Sequence, residues 1–176
     1  MKILSETAGL TRLTRLKDEL RGRVASYERV AKRCSLCETP GACCLDEHFV
    51  NVRISRLEAV AIARVIERLP SIQRAGVEER ITNAAAELLA RDGHVETYAC
   101  PLYEKGTGCL VHRDAKPVPC MVHACYERQQ DLPPDELQDG AELAIDRLNE
   151  RVYSRAKELE PLPIAVAKAR SKTAVS

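Results

Sequence analysis

Between Leu10 and Val30 the apolar residues Leu10, Leu13, Leu16, Leu20, Val24, Tyr27 and Val30 recur at intervals of three and four. That spacing predicts one stripe of an amphipathic helix. Arg12, Arg15, Lys17, Arg21, Arg23 and Arg29 occupy its other faces, which read as solvated. His48 to Ile54 alternates and is rich in β-branched residues, the pattern of a short strand. Ser55-Arg56-Leu57-Glu58 has the form of a capping box, so a helix is expected from there to about Leu69, closed by Pro70. A further helix is expected from Ile72 to Leu89, with Ile72, Val77, Ile81, Ala84, Ala85, Leu88 and Leu89 on its buried side and Asp92-Gly93 as its left-handed cap. A short helix is expected from Cys120 to about Arg128. Pro133-Pro134-Asp135-Glu136 then opens a long one that buries Leu137, Ala141, Ala144, Ile145, Leu148, Val152 and Ala156. Glu160-Pro161-Leu162-Pro163 breaks the pattern, and the rest, to Ser176, is expected to be a mobile tail with a turn or two of helix. The fold class is therefore mostly α: a single domain of amphipathic helices with one short strand and cysteine-rich loops. Its expected parts are an N-terminal helix (1–33), a cysteine-cluster region (34–126), and a C-terminal helix with its tail (127–176).

Composition adds three constraints. With one Phe, five Tyr and no Trp in 176 residues, the core must be built from Leu, Ile, Val and Ala. No stretch approaches the roughly 18 apolar residues a membrane span needs, and the first residues lack the apolar run of a signal peptide, so a cytoplasmic location is expected. A net charge of +1 and few stacking rings argue against nucleic acid as a partner. The charge is unevenly spread, however. Residues 1–33 hold nine basic side chains against four acidic, and residues 126–160 hold ten acidic against five basic. The two terminal helices are thus complementary, within one chain or between two, and offer a surface for a protein partner.

The chemistry resides in eight cysteines. Cys34, Cys37, Cys43 and Cys44 form one group; Cys100, Cys109, Cys120 and Cys125 form another, beyond a strand and two helices that can fold back to bring the groups together. Thiols stay reduced in the cytosol, so this number points to metal or redox chemistry in preference to four disulfides. Cys34-x2-Cys37 is the firmest ligand pair, because both sulfurs reach one ion while the amides between them donate to the thiolates. His112, three residues after Cys109, and His123, between Cys120 and Cys125, are additional candidate ligands, second-shell donors or proton carriers. Zinc ribbons and fingers usually present two close pairs. Iron–sulfur clusters accept scattered cysteines, often beside proline, as in Cys100-Pro101 and Pro119-Cys120. The expected cofactor is therefore an iron–sulfur cluster, with zinc as the alternative. Eight thiolates carry a charge of −8, so either two centres share them or some stay protonated. A catalytic cysteine served by a histidine is a less economical reading of so many thiols. No phosphate-cradling loop, dinucleotide fingerprint or serine elbow is present.

Taken together, Cys34-x2-Cys37, Cys43-Cys44, the strand and helix carrying Glu58, Cys100-Pro101-Leu102, Cys109-Leu110-Val111-His112, Lys116-Pro117-Val118-Pro119-Cys120 and Cys125 resemble the YkgJ-like cysteine-cluster family. The likeness covers residues 34 to 126 and gives all eight cysteines a counterpart, with five residues between Cys37 and Cys43 where the family usually has two. The resemblance implies a zinc- or iron-chelating protein, often described as iron–sulfur. A related module occurs in the flagellin lysine methylase, so an enzyme using the metal centre is a further implied reading.

Overall fold

The computed structural model describes residues 3–32, 38–46, 50–90, 97–124, 126, 128–154 and 158–173. The chain is mostly α, as its periodicity predicts. Among the described residues it forms helices α1 (Glu6–Glu28), α2 (Ala42–Leu45), α3 (Arg56–Glu67), α4 (Ser71–Ala90), α5 (Val118–Val122), α6 (Asp135–Tyr153) and α7 (Leu162–Thr173). Four two-residue strands accompany them: β1 (Arg53–Ile54), β2 (Tyr103–Glu104), β3 (Gly108–Cys109) and β4 (Glu160–Pro161). These elements form two compact units, each made from two chain segments.

The first unit comprises Met1–Pro40 and Lys116–Lys157. Ser5 starts α1, its hydroxyl accepting from the Ala8 amide at 3.2 Å. Leu13, Leu20 and Val24 of the expected stripe are buried, whereas Val30 lies past the helix end and is exposed. The stripe packs on α6, whose Leu137, Ile145 and Leu148 are buried, and on α5. The basic and acidic terminal helices therefore pack together within one chain. Their ends are tied by the Leu4 amide donating to the Arg151 carbonyl at 2.9 Å, and by the Tyr153 hydroxyl donating to Glu6 at 2.8 Å. Lys17 corrects the solvated-face reading: it is 4% exposed, and its Nζ donates to the Lys116 carbonyl at 2.8 Å. The aliphatic stem packs and the charge finds a backbone oxygen, which is how a lysine can occupy a buried position. The helix expected over 120–128 instead starts at Val118, because Pro119 in a first turn loses no hydrogen bond, and it stops at Val122.

The second unit comprises Gly41–Ala115 and Glu158–Ser176. The capping box forms as expected: the Ser55 hydroxyl accepts from the Glu58 amide at 3.3 Å, and the Glu58 carboxylate accepts from the Ser55 amide at 3.4 Å. Helices α3 and α4 both pack against α7. Their shared core contains Ile62, Ile66, Val77, Ile81, Leu162, Val166 and Ala169. The helix α7 overturns the expectation of a mobile tail. Pro163 stands in its first turn, where a missing amide costs nothing, and Leu162, Ala165, Val166 and Ala169 then fall on one buried face. The expected strand is reduced to β1, which pairs antiparallel with β4 (Arg53 opposite Pro161, Ile54 opposite Glu160); His48 and Phe49 lie outside the described residues. On α4 the buried line is Val77, Ile81, Ala85 and Leu88, while Ile72 and Leu89 are 87% and 71% exposed. At about 100° per residue, Ile72 stands some 140° round the helix from Val77, too far to share its face. The Asp92-Gly93 cap lies outside the described residues.

Candidate metal centre

Four of the eight cysteines belong to the second unit, and its loops are tied to one another through the backbone. Gly41, at φ +84°, turns the chain into the single helical turn α2, which carries Cys43 and Cys44. The Cys44 amide closes that turn on the Gly41 carbonyl at 2.8 Å. From 56 residues further along, the Cys100 amide donates to the Cys44 carbonyl at 2.7 Å, and the Tyr98 amide donates to Val50 at 2.9 Å. The Tyr103 amide then donates to the Cys100 carbonyl at 3.2 Å, leading into a hairpin in which β2 pairs with β3 and Cys109 faces Tyr103. Gly106 and Gly108, both at positive φ, lie in the tight turn between β2 and β3. The ring of Tyr103 lies where a side chain on Gly41 would stand, so hairpin and α2 turn are in contact. Segments bearing Cys43, Cys44, Cys100 and Cys109 are thus joined as the folding back of a strand and two helices anticipates.

Cys43 is exposed and Cys44, Cys100, Cys109 and Cys120 are half-buried, and no disulfide joins them to one another. Cys100 and Cys109 touch the margin of the helical core. Beside them lies a cation that the sequence did not single out. Arg80 of α4 donates from Nε to the Pro101 carbonyl at 3.0 Å, while its Nη2 is buried with no hydrogen-bond partner among the described residues. A buried guanidinium nitrogen next to Cys100-Pro101 favours negative charge near that loop. Sulfur donors are by their chemistry suited to a thiophilic metal. Among the described residues, however, no three His, Cys, Asp or Glu side chains are grouped tightly enough to hold an ion.

The remaining candidates are placed as follows. Cys120 lies within α5, in the first unit, and His123 directly follows that helix and is exposed. His112 is exposed in the second unit, its amide donating to the Cys109 carbonyl at 3.1 Å. Cys34, Cys37 and Cys125 lie outside the described residues, as do His48 and His94. No helix among the described residues is long and apolar enough to cross a membrane. Comparison with known proteins gives no matching family model, no matching curated protein and no matching solved structure.

Proposed function

We propose that the chain is a metal-binding protein whose cysteines hold an iron–sulfur cluster, with redox or cluster handling as its role; zinc held by the same thiols for structure or for protein interaction is the alternative. The observation that carries this reading is the 2.7 Å bond from the Cys100 amide to the Cys44 carbonyl, which joins cysteine-bearing segments that are far apart in sequence. Exposure adds support, since cysteines kept for packing are among the most buried residues and these are not. Cys43, Cys44, Cys100 and Cys109 are the residues that would hold a centre in the second unit, and Cys34, Cys37, Cys120 and Cys125 are the remaining candidate ligands. A cluster supplies one-electron chemistry when bound. The protein's own part would be to tie together the segments that bear these cysteines, with the Arg80 guanidinium beside Cys100-Pro101.

The test is anaerobic purification followed by visible absorption and elemental analysis. Iron with acid-labile sulfide, lost in Cys44→Ser and Cys100→Ser while Cys120→Ser retains part, is the expected result. A colourless protein with stoichiometric zinc overturns the cluster and leaves the zinc reading. Neither metal, after both native purification and reconstitution, overturns metal binding.

A further inference from the structure

Helices α1 and α6 of the first unit border an open groove of about 360 Å³. Four arginines border it: Arg12 and Arg15, three apart on α1, and Arg147 and Arg151, four apart on α6. None of the four guanidinium groups has an ion pair or hydrogen bond among the described residues. One carboxylate, Glu19, shares the lining, leaving a local excess of three positive charges in a chain of net charge +1. The floor is apolar, made by Leu16, Ala144 and the buried Leu148. Like charges that border one groove repel one another, and an anion between them relieves that repulsion.

We infer that this groove binds a small organic phosphate, of the nucleoside diphosphate class. Arginine matches phosphate with two parallel hydrogen bonds, and its planar face stacks on rings. The volume is that of a small-ligand site, and the apolar floor suits a base or sugar better than a bare ion. Long polyanions are disfavoured by α6 itself, which also carries Asp139, Glu142, Asp146 and Glu150, none of them lining the groove. A nucleic acid following the helix would meet these carboxylates, whereas a compact phosphate seated between Arg12, Arg15, Arg147 and Arg151 would not. The inference is independent of the metal centre, since no cysteine lines the groove.

Calorimetric titration of the full chain with ADP, pyrophosphate and adenosine tests it. Expected is saturable ADP binding, at least about tenfold tighter than pyrophosphate or adenosine because both floor and arginines are used. Arg12→Gln and Arg147→Gln should each weaken ADP by about tenfold, the worth of one charge-assisted pair. Arg23→Gln, on an exposed part of α1 outside the groove, should leave binding unchanged and serve as the control. Raising salt from about 0.05 to about 0.5 M should also weaken ADP, as screening of exposed charges requires. Circular dichroism checks that each variant folds. Failure of ADP to bind, equal affinity in Arg147→Gln and wild type, or tighter binding of a single-stranded oligonucleotide than of ADP overturns the inference.

Discussion

Gly41→Ala is the sharpest perturbation available in the second unit, because two separate penalties meet at one methyl group. Gly41 sits at φ +84°, in the left-handed region, where an L side chain costs about 1–2 kcal/mol. The added Cβ would also collide with Tyr103, lying 2.5 Å from Cε1 and closer still to Cζ and the hydroxyl. Tyr103 is buried and held in the β2–β3 pairing opposite Cys109, so the ring has little room to withdraw. Overpacking of this kind costs about 1–3 kcal/mol. Together the loss is about 2–5 kcal/mol, which at a urea m-value of about 2 kcal/mol/M lowers the midpoint by roughly 1–2.5 M. Urea unfolding followed by far-ultraviolet circular dichroism reads this directly. The two penalties separate in a Tyr103→Leu background, where the aryl edge is gone and Gly41→Ala should cost only the backbone part, about 1–2 kcal/mol. A loss under about 0.5 kcal/mol in the wild-type background, or an identical loss in both, refutes the reasoning.

Two further outcomes follow from single groups. The buried Tyr98 hydroxyl donates to the Val52 carbonyl and accepts from the Leu162 amide at 3.3 Å, bridging the chain before β1 to the start of α7. Because the Leu162 amide also donates to Val52 at 2.9 Å, that amide and carbonyl keep a partner in Tyr98→Phe, and the expected loss is about 1 kcal/mol in the same urea assay; more than about 3 kcal/mol would contradict this network. Burial pushes the Tyr126 phenol above its ordinary value of 10.0, and the Glu28 carboxylate adds to the shift. The neutral phenol is thus favoured in the folded chain. Its contribution to stability is complete below pH 10 and declines as pH rises through the raised folded value, since the unfolded chain gives up its proton first. Phenolate absorbance should show a late-titrating tyrosine that disappears in Tyr126→Phe and moves down in Glu28→Gln; an unchanged profile in Tyr126→Phe would assign the late component elsewhere.

What the sequence made legible was what its residues decide locally. Ser55 and Glu58 form their capping box because both partners lie within one turn, and Val77, Ile81, Ala85 and Leu88 line up because helical spacing alone places them together. The glycines of the 105–108 turn are similarly self-sufficient. The burial of Lys17 has no local signal, because the carbonyl that receives its charge belongs to Lys116, 99 residues away. The helix α7 was missed because Pro161 and Pro163 look like breakers until the start of the helix is known, when Pro163 falls at a tolerated position. The same limit applies at the sites. That Cys100 meets Cys44 follows in outline from two helices folding back, but neither Arg80 nor the contact of Gly41 with Tyr103 has any local signature. Arg147 and Arg151 were hidden in a segment whose overall charge is negative, and only the packing of α6 on α1 sets them across from Arg12 and Arg15.

The helical core of the second unit and its cysteine loops serve different physical ends. Ile62, Ile66, Val77, Ile81, Val166 and their neighbours bury one another completely or nearly so, and Cys100 and Cys109 touch only the margin of that core. The cysteines occur where regular structure is shortest: a four-residue helix, a loop, and a two-residue strand. Placed there, they contribute little apolar burial while their segments must still be ordered, at about 1–2 kcal/mol per residue of backbone entropy. Backbone bonds such as Cys100 to Cys44 offset part of that cost, each by about 1 kcal/mol. A metal held by several of these thiols would offset more, which predicts that metal removal loosens the 41–46 and 97–109 loops while the α3–α4–α7 core stays folded. Hydrogen exchange with and without a chelator distinguishes this from a core that depends on the metal: protection should fall at Cys44 and Cys100 and persist at Ile62, Ile81 and Val166.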